Sequence, residues 1–225
     1  GDPKVKESVE MSAPIILIAG GVFMILLFFH WLFMETKNYG LRGEKFFHEK
    51  GVWFFAVASA LLAVIVWFAL KQNPMMAFGA VIGSTVFFIT HGFKQNAEQK
   101  EKELMSAGFS DTAKIFYLEV IDATFSIDGV LGAFAFTMSV PLILLGNGLG
   151  AFVVRQLTIS NMDKIKKYVF LKNGAMYSLL LLGLIMIFDS FGLHIPSWIS
   201  PLATVSVVGC FFWKSKRHNK KGDKL

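Results

Sequence analysis

The chain has 225 residues, of which 54% are hydrophobic and 17% charged, with 24 Phe and a formal net charge of +6. Its charges are confined to short stretches, and the long uncharged runs between them exclude a soluble domain, whose charged share would be about 25% and spread over its surface. The basic residues sit at the ends of those runs, which excludes a nucleic-acid footprint, and one cysteine, Cys210, excludes an intrachain disulfide and a Cys-based zinc site.

The uncharged runs are Met11–Met34, Gly51–Leu70, Gln72–Phe93, Gly129–Val154 and Ser190–Trp213. Roughly 20 helical residues cross about 30 Å of hydrocarbon, so each run is a candidate membrane span. In chain order the sequence predicts helices over 13–34, 51–70, 74–93, 113–137, 139–159, 174–194 and 197–213. Pro74 and Pro141 fall near helix starts, where a missing N–H leaves no bond unmade. The fold class expected is an all-α polytopic transmembrane helix bundle of about seven spans, forming one domain over 1–225. Residues 214–225 are expected to form a basic tail. Met11–Met34 is too long for a secretory h-region and has no basic n-region before it.

Lys and Arg orient the spans. With seven crossings, one face receives the loops 35–50, 94–114 and 160–173 and the tail after 213, which together hold 18 Lys/Arg. The opposite face holds Lys4, Lys6 and Lys71, and Arg155 lies within a span. The positive-inside rule therefore puts the N-terminus outside and the C-terminus in the cytoplasm. The mixed charges of Lys94, Glu98, Lys100, Glu101, Lys102 and Glu103 predict a solvated cytoplasmic helix after the third span. His30 and His91 lie close to span ends and read as snorkelling interfacial side chains, and the Phe-rich stripes read as packing or lipid-facing.

Span 113–137 carries three acids that hydrocarbon does not tolerate: Glu119, Asp122 and Asp128. Each costs roughly 2.5–3.5 kcal/mol on insertion scales, so the helix must face partners, water or a cation. At about 100° per residue, Glu119, Asp122 and Ser126 share one narrow face, while Asp128 falls on the opposite side. Either both faces are polar or the helix breaks near Asp128-Gly129. Gly129 and Gly132 favour the break, which would free backbone carbonyls for a cation. The next span contains Gly146-Asn147-Gly148-Leu149-Gly150, whose glycines permit close helix packing or local unwinding. Rises of about 1.5 Å per residue bring Asp122, Asp128, Asn147 and Asp189 to the middle or outer half of the bilayer, with Glu119 and Arg155 matched in height nearer the cytoplasm. Those last two are expected to pair.

Carboxylates and an amide are hard oxygen ligands suited to Mn, Mg and Ca, and no His or Cys is expected at mid-depth to favour zinc or copper. The site expected from these residues is Glu119, Asp122, Asp128 and Asn147 as metal ligands, supported by Ser126, Arg155 and Asp189. Its cargo is a divalent cation, manganese preferred and Ca or Mg also admitted, with no resident cofactor. No Gly-x-Ser-x-Gly, His-Glu-x-x-His or Gly-x-x-x-x-Gly-Lys occurs, so the chain reads as a non-enzyme. An intramembrane aspartyl dyad would need Asp128 and Asp189 on facing helices. The rival reading is a non-transporting membrane platform that binds metal structurally and associates with exported enzymes or a resistance complex.

The string Leu118-Glu119-Val-Ile-Asp122-Ala-Thr-Phe-Ser126-Ile-Asp128-Gly129-Val-Leu-Gly132 resembles the TerC-like integral membrane proteins, in the branch catalogued as a domain of unknown function. Gly148-Leu-Gly150-Ala-Phe-Val-Val-Arg155-Gln-Leu-Thr158 and His194-Ile-Pro196 resemble that branch's following segments, and the likeness covers nearly the whole chain. The resemblance implies a bacterial inner-membrane protein related to the LysE-type cation exporters, a superfamily associated with tellurite resistance and manganese efflux. It also implies two related halves, each with an acidic motif, of which Glu119, Asp122 and Asp128 would be the second. The first motif, a Glu followed by Ser-x-Asp-Asn, is absent. Together with a start at Gly1-Asp2-Pro3, this reads as a chain lacking its N-terminal part. Expected partners are the lipid bilayer, the metal cation, and a second copy of the chain or exported metalloenzymes.

Overall fold

A computed structural model of the chain describes residues 3–106, 133 and 139–222. Among them are seven helices and no strand: α1 (Pro3–Met34), α2 (Arg42–Glu49), α3 (Trp53–Gln72), α4 (Pro74–Ser106), α5 (Val140–Lys166), α6 (Leu171–Ser190) and α7 (Ile199–Gly222). Four stretches are long and apolar enough to cross a membrane, Ser12–Met34, Trp53–Gln72, Pro74–Gly92 and Leu171–Ser190. The fold is therefore an all-helical bundle of the membrane type. The expected span 113–137 lies outside the described residues except for residue 133. The stretch 197–213 falls mostly in α7, which is not among the four.

Two helices extend well past the apolar runs that announced them. α1 begins at Pro3, ten residues before the expected start, and α4 continues to Ser106. Lys, Glu and Gln are strong helix formers, so the backbone helix persists where hydropathy falls. Hydropathy marks where a helix can enter hydrocarbon, and propensity marks where it can end.

α1 is the hub. It packs most extensively on α6 and α4, and also touches α3 and α2; α3 packs on α4, and α7 on α6. Its middle is apolar on all sides, as a helix surrounded by protein must be. Phe23, Trp31, Phe54, Phe87 and Met186 meet in the core, each 2% exposed or less. Phe23 and Phe87 make an edge contact at 6.1 Å between centroids, a geometry that the ring quadrupoles favour. The α1–α6 contact is close at one level: a Cβ on Gly21 would lie 2.8 Å from the Gly183 carbonyl oxygen, so only glycine fits there. Gly83 of α4 meets the Ala19 backbone of α1 under the same constraint.

The direction of each helix follows from its end contacts. Glu35, after α1, pairs with Lys172 at the start of α6 at 2.5 Å. At the other end, Ala13, Pro14 and Leu17 of α1 line one cavity with Asp189 at the close of α6. α6 is thus antiparallel to α1. The bundle has a Glu44 end, where α1 runs into α2, and an Asp189 end, where α6 turns toward α7 through Gly192 at φ +85°.

Candidate functional site

Glu119, Asp122, Ser126 and Asp128, with the expected break at Asp128-Gly129, lie outside the described residues. Asn147 is on α5 with its side chain half-buried, and Arg155 follows it on the same helix. α5 runs unbroken through Gly146, Gly148 and Gly150, which face open space among the described residues. The local unwinding considered for this segment does not occur there. Asp189 is the penultimate residue of α6. It therefore sits at a helix end, farther along the rise of α6 than expected. The reason is that α6 begins at Leu171, three residues earlier than expected, which lengthens the rise to Asp189 to about 27 Å.

At the Asp189 end, one carboxylate oxygen of Asp189 accepts the Ile195 N–H at 2.8 Å. This bond closes the α6–α7 connection. His194 lies on the same connection, with Nδ1 3.1 Å from the Gly192 carbonyl. Asp189 and His194 join Ala13, Pro14, Leu17 and Ile195 around an open cavity of about 450 Å³. The carboxylate is held in place by a backbone donor and still borders this open cavity.

The Glu44 end holds a polar cluster that sequence reasoning did not single out. Glu44 is only 1% exposed, although it comes from a short amphipathic helix in what reads as a solvated loop. One of its oxygens accepts the Gly40 N–H at 2.7 Å and the Asn173 side-chain amide at 2.8 Å. Its other oxygen is buried with no hydrogen-bond partner among the described residues. Asn173, 2% exposed, also donates to the Asn38 carbonyl at 2.9 Å. The Lys37 ammonium donates to the Trp31 and Leu32 carbonyls at 2.6 Å each, satisfying the last turn of α1, and lies 4.1 Å from the Trp31 ring centroid. Lys214 of α7 reaches the Gly40 carbonyl.

This cluster ties α1, α2, α6 and α7 together. Burial pushes the Lys37 ammonium down to about 8, against the opposing pull of Glu44 and Glu35. A buried carboxylate needs paired donors or a cation nearby, and Gly40, Asn173 and Lys37 supply them. No local pattern separates Glu44 from the neighbouring Glu49. The partner that buries it stands 129 residues away.

The histidines also depart from expectation. His30 does not snorkel: it is 7% exposed and packs against His91 with ring centroids 3.7 Å apart. Phe54 contacts His30 edge-on at 5.4 Å, and Phe87 stacks on His91 at 5.7 Å with planes 9° apart. The signal available in sequence was that each histidine lies within five residues of a span end on the same side. Their common height follows from that, but their contact does not.

Among the described residues no group of three His, Cys, Asp or Glu could hold a metal ion. A family model described as a protein of unknown function, DUF475, matches residues 2–222. The chain belongs to the DUF475 family. The match runs through both ends of the bundle and through the acidic string, so these are parts of one family unit. No curated protein and no solved structure matches the chain.

Proposed function

We propose that this DUF475 protein is a membrane transporter that exports a divalent cation, manganese by preference, through an intramembrane carboxylate site. The observation that carries this reading is the string Glu119, Asp122 and Asp128, three acids within ten residues of an otherwise uncharged stretch. Acids at that density in an apolar segment have no inexpensive lipid-facing arrangement, and a doubly charged cation offsets two of them without a large residual charge. Hard oxygen ligands select Mn, Mg or Ca over Cu or Zn. The resemblance to TerC-like proteins supports the same cargo and a bacterial inner-membrane setting. In this scheme Asp122 and Asp128 are direct ligands, Glu119 a ligand or proton carrier, Asn147 a supporting oxygen ligand and Arg155 a charge balance.

The test is equilibrium binding of Mn²⁺ to detergent-purified chain, wild type beside Asp122→Asn/Asp128→Asn. Binding in the wild type that weakens at least about tenfold in the double variant is expected, since two of the oxygen ligands lose their charge. Flux into vesicles then separates export from a platform that binds metal without moving it. Undiminished binding in the double variant, or export unaffected by Asp128→Asn, overturns the reading.

A further inference from the structure

The carboxylates leave one group of titratable side chains unused, the imidazoles of His30 and His91. They come from two helices that run the same way, α1 and α4, and meet near the Glu44 end of the bundle. Their ring centroids are 3.7 Å apart and their planes are inclined by 50°. At that separation the rings are in van der Waals contact. A metal held between two imidazole nitrogens at about 2.0–2.1 Å from each would hold the ring centres farther apart, so the arrangement is not that of a two-histidine metal site.

The surroundings are aromatic. Phe54 of α3 presents itself edge-on to His30 at 5.4 Å, and Phe87 of α4 lies 6.2 Å from His30 and stacks on His91. Phe87 in turn meets Phe54 at 6.4 Å. On the three elements that meet at the pair, the charged groups nearest in sequence are Glu35 and Lys37 after α1, Lys50 before α3 and Lys94 on α4. Phe87, stacked on His91, offers its ring face to one delocalised cation. Two imidazolium rings in contact repel far more strongly in this interior than in water. The first proton on either ring therefore opposes a second on the other.

We propose that His30 and His91 form a one-proton site: the contacting pair takes up a single proton in the physiological range and excludes a second. The proton sits at the α1–α4 contact, so its arrival is felt by the two helices that the pair joins. This inference is independent of the cation-export reading, and its test contains no metal.

The experiment is a nitrogen-15 NMR titration of histidine-labelled full chain in detergent micelles. Substituting His48, His194 and His218 by Gln leaves the pair as the remaining imidazoles, since the chain has five. Ring nitrogen shifts distinguish imidazole from imidazolium, so the spectrum counts protons on the pair between about pH 8 and pH 5.5, the window in which histidine titrates. The expected count on going down is one, carried by one ring or averaged over both. A count of zero or of two at pH 5.5 in folded protein overturns the proposal. Should the triple variant not fold, the unsubstituted chain gives the same count once the signals lost in His30→Phe and His91→Phe have been assigned. In either single variant the surviving ring is expected to titrate at a displaced midpoint, and an unmoved midpoint overturns the coupling of the two rings.

Discussion

The two ends of the bundle each hold an acid at a helix junction, and they treat it in opposite ways. Glu44 is enclosed, bonded to Gly40 and to Asn173 on another helix, with Lys37 beside it. Asp189 is half-buried, bonded to one backbone N–H six residues along, and open to a cavity of about 450 Å³. The first contact joins segments 129 residues apart, and the second closes a local turn. A carboxylate becomes structural when distant donors converge on it and water is excluded. It stays chemically available when a single local bond holds it at the edge of an open cavity.

Glu44→Ala should break that contrast most forcefully. Removing the acid strands the Gly40 N–H and one Asn173 amide proton and takes the nearby negative charge from the half-buried Lys37, a loss on the order of 3–5 kcal/mol. Asp189→Ala should lose about 1 kcal/mol, because one hydrogen bond goes and water can replace it. Thermal unfolding of both variants in the same detergent checks the order; equal shifts in Tm would erase the distinction.

Between the two ends, the bundle is held by close backbone approach. Gly21→Leu forces a side chain against the Gly183 carbonyl and Ile187, and should cost about 1–3 kcal/mol through overpacking. A variant as stable as the wild type would mean that α1 and α6 can separate there.

The smallest expected effect sharpens the Glu44 end through pH. Lys37 has its ammonium pushed down to about 8 by burial, against the usual 10.5. Between those values the unfolded chain binds the proton that the folded chain has released, so stability rises as pH goes up through this window. The penalty is fully present below about 8 and absent above 10.5. Lys37→Met should flatten the rise in Tm between these two limits. A wild type whose Tm is level across them would remove the desolvated lysine from the account.

Much of the architecture was legible in the chain. The apolar runs around Ser12–Met34, Trp53–Gln72 and Pro74–Gly92 announce helices because hydrocarbon admits no unpaired backbone. Their ends were less legible, as α1 and α4 show, since charged helix formers extend a helix beyond its apolar portion. Of the expected site, Asp189 was recognisable as an unusual acid, but its height depended on where α6 starts. Glu44 and the His30–His91 contact were invisible, because a lone Glu in a charged loop and a His near a span end have ordinary local explanations.

What the sequence alone determined is the class of molecule and the presence of acids in an apolar segment, because hydropathy and charge are sums over neighbours in the chain. Only the tertiary structure decided which polar groups meet. Asn173 finds Glu44, and His91 finds His30, through the packing of α1 against α6 and α4. That packing depends on side-chain shape and on the close approach of glycines on different helices, neither of which any single stretch of sequence records.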